Sequence, residues 1–389
     1  MKPIDNKKKF QFCFVFPLIG YGIPLGGRFL TFQMVNELRK AGKSVSIVID
    51  KRSLWNEVPF HNKEFGDIKD RIIYKVKKLQ WSILYGKFFQ THVSKLYRKI
   101  KNIDQTYHDL IDSIPTYFVR DFAKSELVCE NVVTESALSA FSVAQYCGIN
   151  KSNGYRLLFH DDTVTQSDPI LRKKTFESYS LPLKKIVFNE IELERFKKDK
   201  PLLARVWYDS DSFKNRGNNR IVDQYSLIMP LRRLESKGAV YGIEALKLIH
   251  ENFPEMKIFT YGDLDFQLVP EFVTHYKNPS KEELVHLLNL TRIFCLPSIY
   301  EGFSISTIEA MACGNVPIVT DCGGIHEFVK HEENGLIVPI KEPVSMYMAV
   351  KRLLEDPILA SRLYGNLPDS VAKYNIESAG KVFVSLFSS

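Results

Sequence analysis

The sequence predicts an α/β protein built from two doubly wound, parallel-sheet domains. Three observations carry that expectation. Short apolar runs alternate with amphipathic helical stretches, the pattern of βαβ units. A glycine-bearing turn follows the first of those runs. A length of 389 residues accommodates two domains of ordinary size.

Gln11 to Phe16 reads as the first strand, entering the turn Gly20-Tyr-Gly22-Ile-Pro-Leu-Gly26-Gly27. A helix follows with Phe29, Phe32 and Leu38 on its apolar face, and Gly42 stops it. Val45 to Ile49 is the second strand, and Asn131 to Thr134, Tyr155 to Phe159 and Lys185 to Phe188 are later ones. A second set of units begins near Arg220. Tyr225 to Met229 is a strand, and Gly238 to Phe253 a helix with Ala239, Ile243, Leu246 and Ile249 on one face. Met256 to Tyr261, Ile293 to Leu296 and Val316 to Thr320 follow as strands, with helices at Lys281 to Asn289 and Ser304 to Cys313. Sheets of this kind bind ligands beyond the carboxyl ends of their strands, so a cleft between two such domains is the expected site. The expected division is an N-terminal domain over 1–205, a C-terminal domain over 206–370, and a terminal helix over 371–389 returning to the N-terminal domain.

Composition narrows the class. With 45% hydrophobic and 25% charged residues, the chain is neither disordered nor collagen-like. Its net charge of +8 is local: Lys69 to Lys101 holds ten basic residues and one acidic residue, leaving 43 basic against 44 acidic elsewhere. The six cysteines form no C-x-x-C pair and mostly sit in apolar strings, which predicts buried free thiols in a reducing compartment. Lys7-Lys8-Lys9 before an uncharged run imitates a secretory signal, but Pro17 and Pro24 interrupt it and no small-residue cleavage site ends it. No stretch reaches the ~18–20 apolar residues of a spanning helix. The expected location is cytoplasmic, with peripheral attachment to the inner face of the membrane as the alternative to a protein free in the cytoplasm.

The most informative stretch runs from Pro297 to Gly314, Pro-Ser-Ile-Tyr-Glu301-Gly302-Phe303-Ser304-Ile305-Ser306-Thr-Ile-Glu309-Ala-Met-Ala-Cys-Gly. A strand ends at Leu296, a loop carries Glu301, and a helix opens near Ser304. Unpaired amides and the helix dipole make such a start an anion site suited to a diphosphate. Glu301 beside it offers a carboxylate to sugar hydroxyls. Glu309, five residues into the helix and about 7.5 Å further on, offers one to a ribose. Phosphate between two such acids describes a nucleotide-sugar site.

These residues carry a resemblance. The Glu301-x7-Glu309 stretch, Asp321-Cys-Gly323-Gly324-Ile-His-Glu327, Glu333-Asn334-Gly335-Leu336, and Leu231-Arg232-Arg233-Leu234-Glu-Ser-Lys237-Gly238 together resemble glycosyltransferase family 4, retaining enzymes of the GT-B fold. The match is continuous from about Tyr225 to Pro357; in the first half it rests on Gly26-Gly27 and Phe159-His160-Asp161. The resemblance implies a nucleoside-diphosphate sugar as donor, held by the C-terminal domain. It implies a glycan, polysaccharide or lipid-linked acceptor held by the other domain. Arg232 and Lys237 would hold the diphosphate, Glu301 the sugar and Glu309 the ribose. Gly302, Phe303, Ser304 and Ile305 would line the donor, Gly26 and Gly27 would let backbone approach the phosphate, and His160 would lie near the reacting sugar. Arg232, Lys237, Glu301 and His160 are the expected catalytic set. Two departures stand at the domain junction: Val206-Trp-Tyr-Asp209 replaces Asn-Gly-Val-Asp, and Asn189 replaces a serine.

Breaking a sugar–phosphate bond leaves negative charge on the diphosphate. A bidentate guanidinium and an ammonium can stabilise it as a metal would, so no metal and no other cofactor is expected. Competing readings exist for each feature. Ser306 and Glu309 fit a capping box, His160 fits a structural histidine, and Glu327 fits a residue that orients the Gly323-Gly324 turn. Gly20-x-Gly22-x3-Gly26 imitates a dinucleotide fingerprint and hence a dehydrogenase, and Asp209-Ser-Asp211 imitates a metal-binding acid pair. A catalytically inactive nucleotide-sugar-binding or scaffold protein is the competing class. Residues 69–101 interleave lysines with Trp81, Tyr85, Phe88 and Phe89, the pattern either of helices packed on the first domain or of a patch for anionic lipid. No recognition motif for nucleic acid accompanies the charge.

Overall fold

The computed structural model describes residues 9–17, 26–50, 113–119, 121–166, 169–216 and 225–387. The turn at 18–25 and the basic segment 69–101 lie outside them. Two parallel sheets organise the described chain.

The first sheet has seven strands in the order β3-β2-β1-β4-β5-β6-β7. These are β1 (Lys9–Pro17), β2 (Val45–Asp50), β3 (Thr116–Val119), β4 (Val128–Thr134), β5 (Asn153–Leu158), β6 (Lys184–Val187) and β7 (Leu202–Leu203). Helix α1 (Gly26–Lys40) connects β1 to β2, α2 (Ala137–Asn150) connects β4 to β5, and α3 (Asp162–Thr165) and α4 (Pro169–Ser178) precede β6. The short α5 (Glu190–Arg195) follows β6. Central β1 reads Phe-Cys-Phe-Val-Phe over residues 12–16, all at most 2% exposed, because a central parallel strand is covered on both faces. Helix α2 starts where Ser136 accepts the amide of Leu138.

The second sheet has six strands in the order β10-β9-β8-β11-β12-β13. They are β8 (Ser226–Pro230), β9 (Lys257–Gly262), β10 (Thr274–Lys277), β11 (Ile293–Leu296), β12 (Val316–Thr320) and β13 (Leu336–Val338). The helices are α6 (Ala239–Asn252), α7 (Lys281–Leu290), α8 (Ile305–Ala312), α9 (Pro343–Glu355), α10 (Pro357–Gly365), α11 (Leu367–Ala372) and α12 (Ile376–Ser385). Ser280 and Glu283 close a capping box on α7. Helix α6 buries Gly242, Ala245, Leu246 and Ile249, an i, i+3, i+4, i+7 stripe. The ring of Phe383 on α12 meets Trp207 edge-on at 6.2 Å.

Both sheets are the doubly wound, Rossmann-like type the periodicity predicts. The chain divides into two compact units. The first holds the described residues of Met1–Leu157 and Gln166–Lys184; the second holds those of Leu158–Thr165 and Lys185–Ser389. No helix among the described residues is long and apolar enough to cross a membrane.

One expectation is corrected. Cys13 and Cys129 form a disulfide, whereas Cys147, Cys295, Cys313 and Cys322 are the buried free thiols expected. Apolar surroundings foretold burial for all six. The pairing arises because β1 and β4, 116 residues apart at these cysteines, lie side by side and turn both sulfurs into one core cluster.

Candidate functional site

In the second unit the strand order reverses between β8 and β11, which pair directly. Chain leaving β8 turns one way toward β9 and chain leaving β11 turns the other toward β12. The carboxyl ends of that pair are where such sheets take ligands.

After β8, the Leu231 amide donates to Tyr261 O at 2.7 Å, holding the strand exit against β9. The next two residues are both arginines with different fates. Arg233 is tied down: its amide donates to Asp263 Oδ1 at 2.9 Å and its Nη2 to Asp265 Oδ2 at 2.6 Å. Arg232 is exposed and makes no hydrogen bond or ion pair with a described residue. A 3-10 turn, Glu235–Lys237, then leads to Gly238 at φ 63°. A Cβ on Gly238 would overlap the Pro297 carbonyl, so glycine lets this turn lie on the loop after β11. The amides of Ile299 and Tyr300 both donate to Ser236 O, at 2.8 and 3.1 Å.

That junction sets the Glu301 carboxylate. Lys237 Nζ donates to Oε2 at 2.8 Å, and buried Ser298 Oγ donates to Oε1 at 2.7 Å. The Glu301 side chain is only 10% exposed and Lys237 is 31% exposed. The Glu301 backbone is fixed as well, its amide donating to Cys322 O at 2.7 Å and its carbonyl accepting from Gly324 at 3.0 Å.

Helix α8 follows, with Ser304 in the N-cap position at φ 70°; its hydroxyl bonds no helix amide and lies 2.8 Å from Thr307 Oγ1. Because Ser304 is the cap, Ser306 and Glu309 do not form a capping box. Glu309 is half-buried and its carboxylate bonds no described residue. Burial pushes its pKa up to about 8; the Asp209 carboxylate adds to the rise, and Arg232 and Lys281 oppose it. Asp209 itself is driven upward by burial, but bonds from Ser212 and Lys281 outweigh that and hold it below the usual carboxylate range. Lys281 Nζ is 3.2 Å from Asp209 Oδ2, so Asp209 is engaged by an ammonium and a serine. Phe303 turns its ring into the core, 5.0 Å from Phe328 and 5.4 Å from Tyr374. Ile305 is half-buried at the start of α8.

His160 lies in the turn after β5, its Nε2 3.4 Å from Asp162 Oδ1 and its ring edge-on to Tyr300 at 6.1 Å. A Cβ on Gly302 would stand 2.6 Å from His160 Cβ, so the His160 turn and the Glu301-Gly302 loop are in van der Waals contact. Behind it, Asp161 pairs with Arg195, and its amide donates to Tyr300 Oη at 3.2 Å. The Glu327 side chain reaches α5 instead of the Gly323-Gly324 turn, its Oε1 accepting the Glu190 amide at 2.6 Å. Gly26 and Gly27 open α1 in the first unit.

The second unit therefore gathers Arg232, Lys237, Glu301, Gly302, Ser304, Glu309 and His160, with Gly26 and Gly27 in the other unit. Sequence reasoning missed Ser298, Lys281 and Tyr261. Tyr261, 2% exposed at the end of β9, has its hydroxyl raised chiefly by burial, with Arg232 lowering it and Glu309 raising it. The signal for Tyr261 was its place at a strand end just before Gly262, and that for Ser298 its place three residues before Glu301 in the Pro297-to-Gly314 stretch; Lys281 gave none.

Comparison with known proteins adds the following. Over 214 residues the chain is 28% identical to the uncharacterized glycosyltransferase MJ1607 of Methanocaldococcus jannaschii, covering 52% of this chain and 53% of that protein. Over 113 residues it is 32% identical to the N,N'-diacetylbacillosaminyl-diphospho-undecaprenol alpha-1,3-N-acetylgalactosaminyltransferase of Campylobacter jejuni, covering 29% and 30%. The chain thus spans about half the length, or less, of the curated relatives it matches. Among solved structures, Anabaena Alr3699/HepE in complex with UDP-glucose superposes with a TM-score of 0.67 at 13% identity, over 98% of this chain and 99% of that one. At that identity the likeness is one of fold, the GT-B class of two Rossmann-like domains. Residues 211–368, which hold Arg232, Lys237, Glu301 and Glu309, match the family model of Glycosyl transferases group 1.

Proposed function

We propose that this protein is a glycosyltransferase that moves a hexose or deoxyhexose from a nucleoside diphosphate to a glycan, polysaccharide or lipid-linked acceptor, with retention at the anomeric carbon. The observation that carries the reading is the pair Lys237–Glu301 at the strand-order reversal, beside an Arg232 guanidinium with no protein partner among the described residues.

Cleavage of the donor gathers negative charge on the departing diphosphate, and donors aimed there in advance are usually the largest catalytic contribution. Arg232 supplies a fork and Lys237 a point charge. Glu301 accepts hydroxyls of the sugar, and Glu309 addresses the ribose further along α8. Gly26 and Gly27 let backbone approach the phosphates, and His160 stands by the reacting sugar. With two cations on the diphosphate, the reading needs no metal, and turnover persists in chelator. The Campylobacter relative is named for a diphospho-undecaprenol acceptor and the Anabaena protein was solved with UDP-glucose; both support the donor and acceptor classes proposed. Residues 69–101 would bring the enzyme to anionic lipid, each basic side chain adding ~1 kcal/mol. Flotation with anionic liposomes then weakens sharply in high salt, and equal recovery on neutral vesicles refutes that part.

The test of the main reading is calorimetry with UDP, GDP and dTDP, followed by hydrolysis and transfer assays with their sugars. Nucleoside-diphosphate binding plus turnover of at least one sugar is the expected result. Binding without any turnover would leave an inactive binding protein; a response to a nicotinamide cofactor instead would leave a dehydrogenase.

A further inference from the structure

Asn189 occupies a position whose consequences reach beyond its own helix. It is 2% exposed and caps α5, its Oδ1 accepting the amide of Glu192 at 2.8 Å. Its Nδ2 donates twice, to Phe159 O at 3.2 Å and to Gly302 O at 3.0 Å. An amide nitrogen has two hydrogens, so both are spent. The two carbonyls on one side and the amide on the other leave a single orientation of the side chain. Phe159 is the residue before His160, and Gly302 the residue after Glu301.

We propose that Asn189 is a positioning residue that sets the distance between the His160 turn and the Glu301-Gly302 loop, and through them the seat of the transferred sugar. This rests on the glycosyltransferase reading above. The contact it fixes has little slack. A Cβ on Gly302 would come 2.8 Å from Phe159 O as well as 2.6 Å from His160 Cβ, so the two backbones are already as close as glycine allows. The Phe159 and Gly302 carbonyl oxygens both accept from one nitrogen, Asn189 Nδ2, which bridges the two segments. None of its bonds touches Arg232, Lys237 or Glu309, so the nucleoside-diphosphate half of the donor lies outside its reach.

Two substitutions separate the cap from the clamp. N189S keeps a hydroxyl able to cap α5 but has one hydrogen and a shorter reach. N189D keeps an excellent cap but turns a carboxylate oxygen toward both carbonyls. With UDP as probe in calorimetry, both variants bind within about twofold of wild type. With whichever nucleotide sugar of the panel wild type turns over, kcat falls about 10–100-fold, the cost of a misplaced reacting group, and N189D suffers more. In a His160→Ala background N189S costs much less than alone, since coupled residues are not additive. Hydrogen exchange, which needs no activity, quickens at 159–161 and 300–303 together in both variants.

Unchanged exchange in those two segments overturns the proposal. So does wild-type kcat in both variants, or a loss of UDP affinity as large as the loss of kcat/KM, which is what a merely structural role produces. If wild type itself ignores every nucleoside diphosphate and sugar, the functional reading fails, while the exchange result still decides whether Asn189 clamps the two loops.

Discussion

Lys237 Nζ lies 2.8 Å from Glu301 Oε2, and the two side chains stand on the loops that leave β8 and β11. On an open surface such a pair contributes little. Here the carboxylate is nearly buried and its other oxygen is taken by Ser298, so the pair is held before any ligand arrives. On the glycosyltransferase reading proposed above, a diphosphate that draws on the Lys237 ammonium frees a Glu301 oxygen for a sugar hydroxyl, so that one ion pair couples the two halves of the donor.

That coupling is measurable. Lys237→Ala and Glu301→Gln each lower donor turnover by about 10²–10³, with the fold retained by circular dichroism. Lys237→Ala also leaves a buried carboxylate without its cation, so it lowers the thermal midpoint. Adding Glu301→Gln to it restores part of that midpoint, because the unpaired charge is gone. A double variant whose losses in turnover simply multiply would show that the two residues act independently.

Glu309 gives a pH signature. Its pKa rises to about 8 in the folded chain from the ordinary value of 4.5, chiefly through burial. The folded state therefore keeps a proton that the unfolded chain has already released, and stability falls as pH climbs from about 4.5 to about 8. Above that window the loss is complete. In urea unfolding, wild type loses more stability between pH 5 and pH 8.5 than Glu309→Gln does, and Asp209→Asn, which removes the neighbouring negative charge, shrinks the difference. Parallel pH curves for wild type and Glu309→Gln would contradict the shift.

Glycines at the site tolerate no side chain. Gly302→Ala drives a methyl against His160 Cβ at 2.6 Å and Phe159 O at 2.8 Å, and Gly324→Ala overlaps the Gly302 carbonyl. Both lower activity sharply and depress the thermal midpoint. Gly365 at the end of α10 has nothing within 4 Å of its would-be Cβ and no positive φ. Gly365→Ala is neutral or stabilises by about 0.4–1 kcal/mol, which makes it the control.

The disulfide predicts a thiol count. Alkylation of denatured, unreduced protein labels Cys147, Cys295, Cys313 and Cys322 alone; after reduction Cys13 and Cys129 are labelled too. Equal labelling before and after reduction would show six free thiols.

Much of this was legible along the chain. The ends of β8, β9, β11 and β12 and the helix starts beside them follow directly from apolar runs broken at Pro230, Gly238, Gly262 and Gly314, because each of those features is local. Short strands such as β7 and β10 carry no such signature: β10 reads Thr-His-Tyr-Lys, half-exposed at a sheet edge, and takes its form from pairing with β9. Arg232 and Arg233 are indistinguishable as neighbours in a sequence, yet Asp263 and Asp265 claim one and leave the other. Asn189 looked like a departure from a pattern and turned out to bond two distant loops.

The alternation of strands and helices, the acidic pair on the loop and helix after β11, and the cations after β8 can all be read from residue order alone. Spacing within one element is enough to specify these. Which carboxylate oxygen meets which ammonium, which arginine finds a partner among the described residues, that Cys13 reaches Cys129, and that one buried amide bonds both Phe159 and Gly302 emerge only from the folded chain. Those outcomes depend on distances between segments far apart in the chain, set by strand order and glycine-permitted contact.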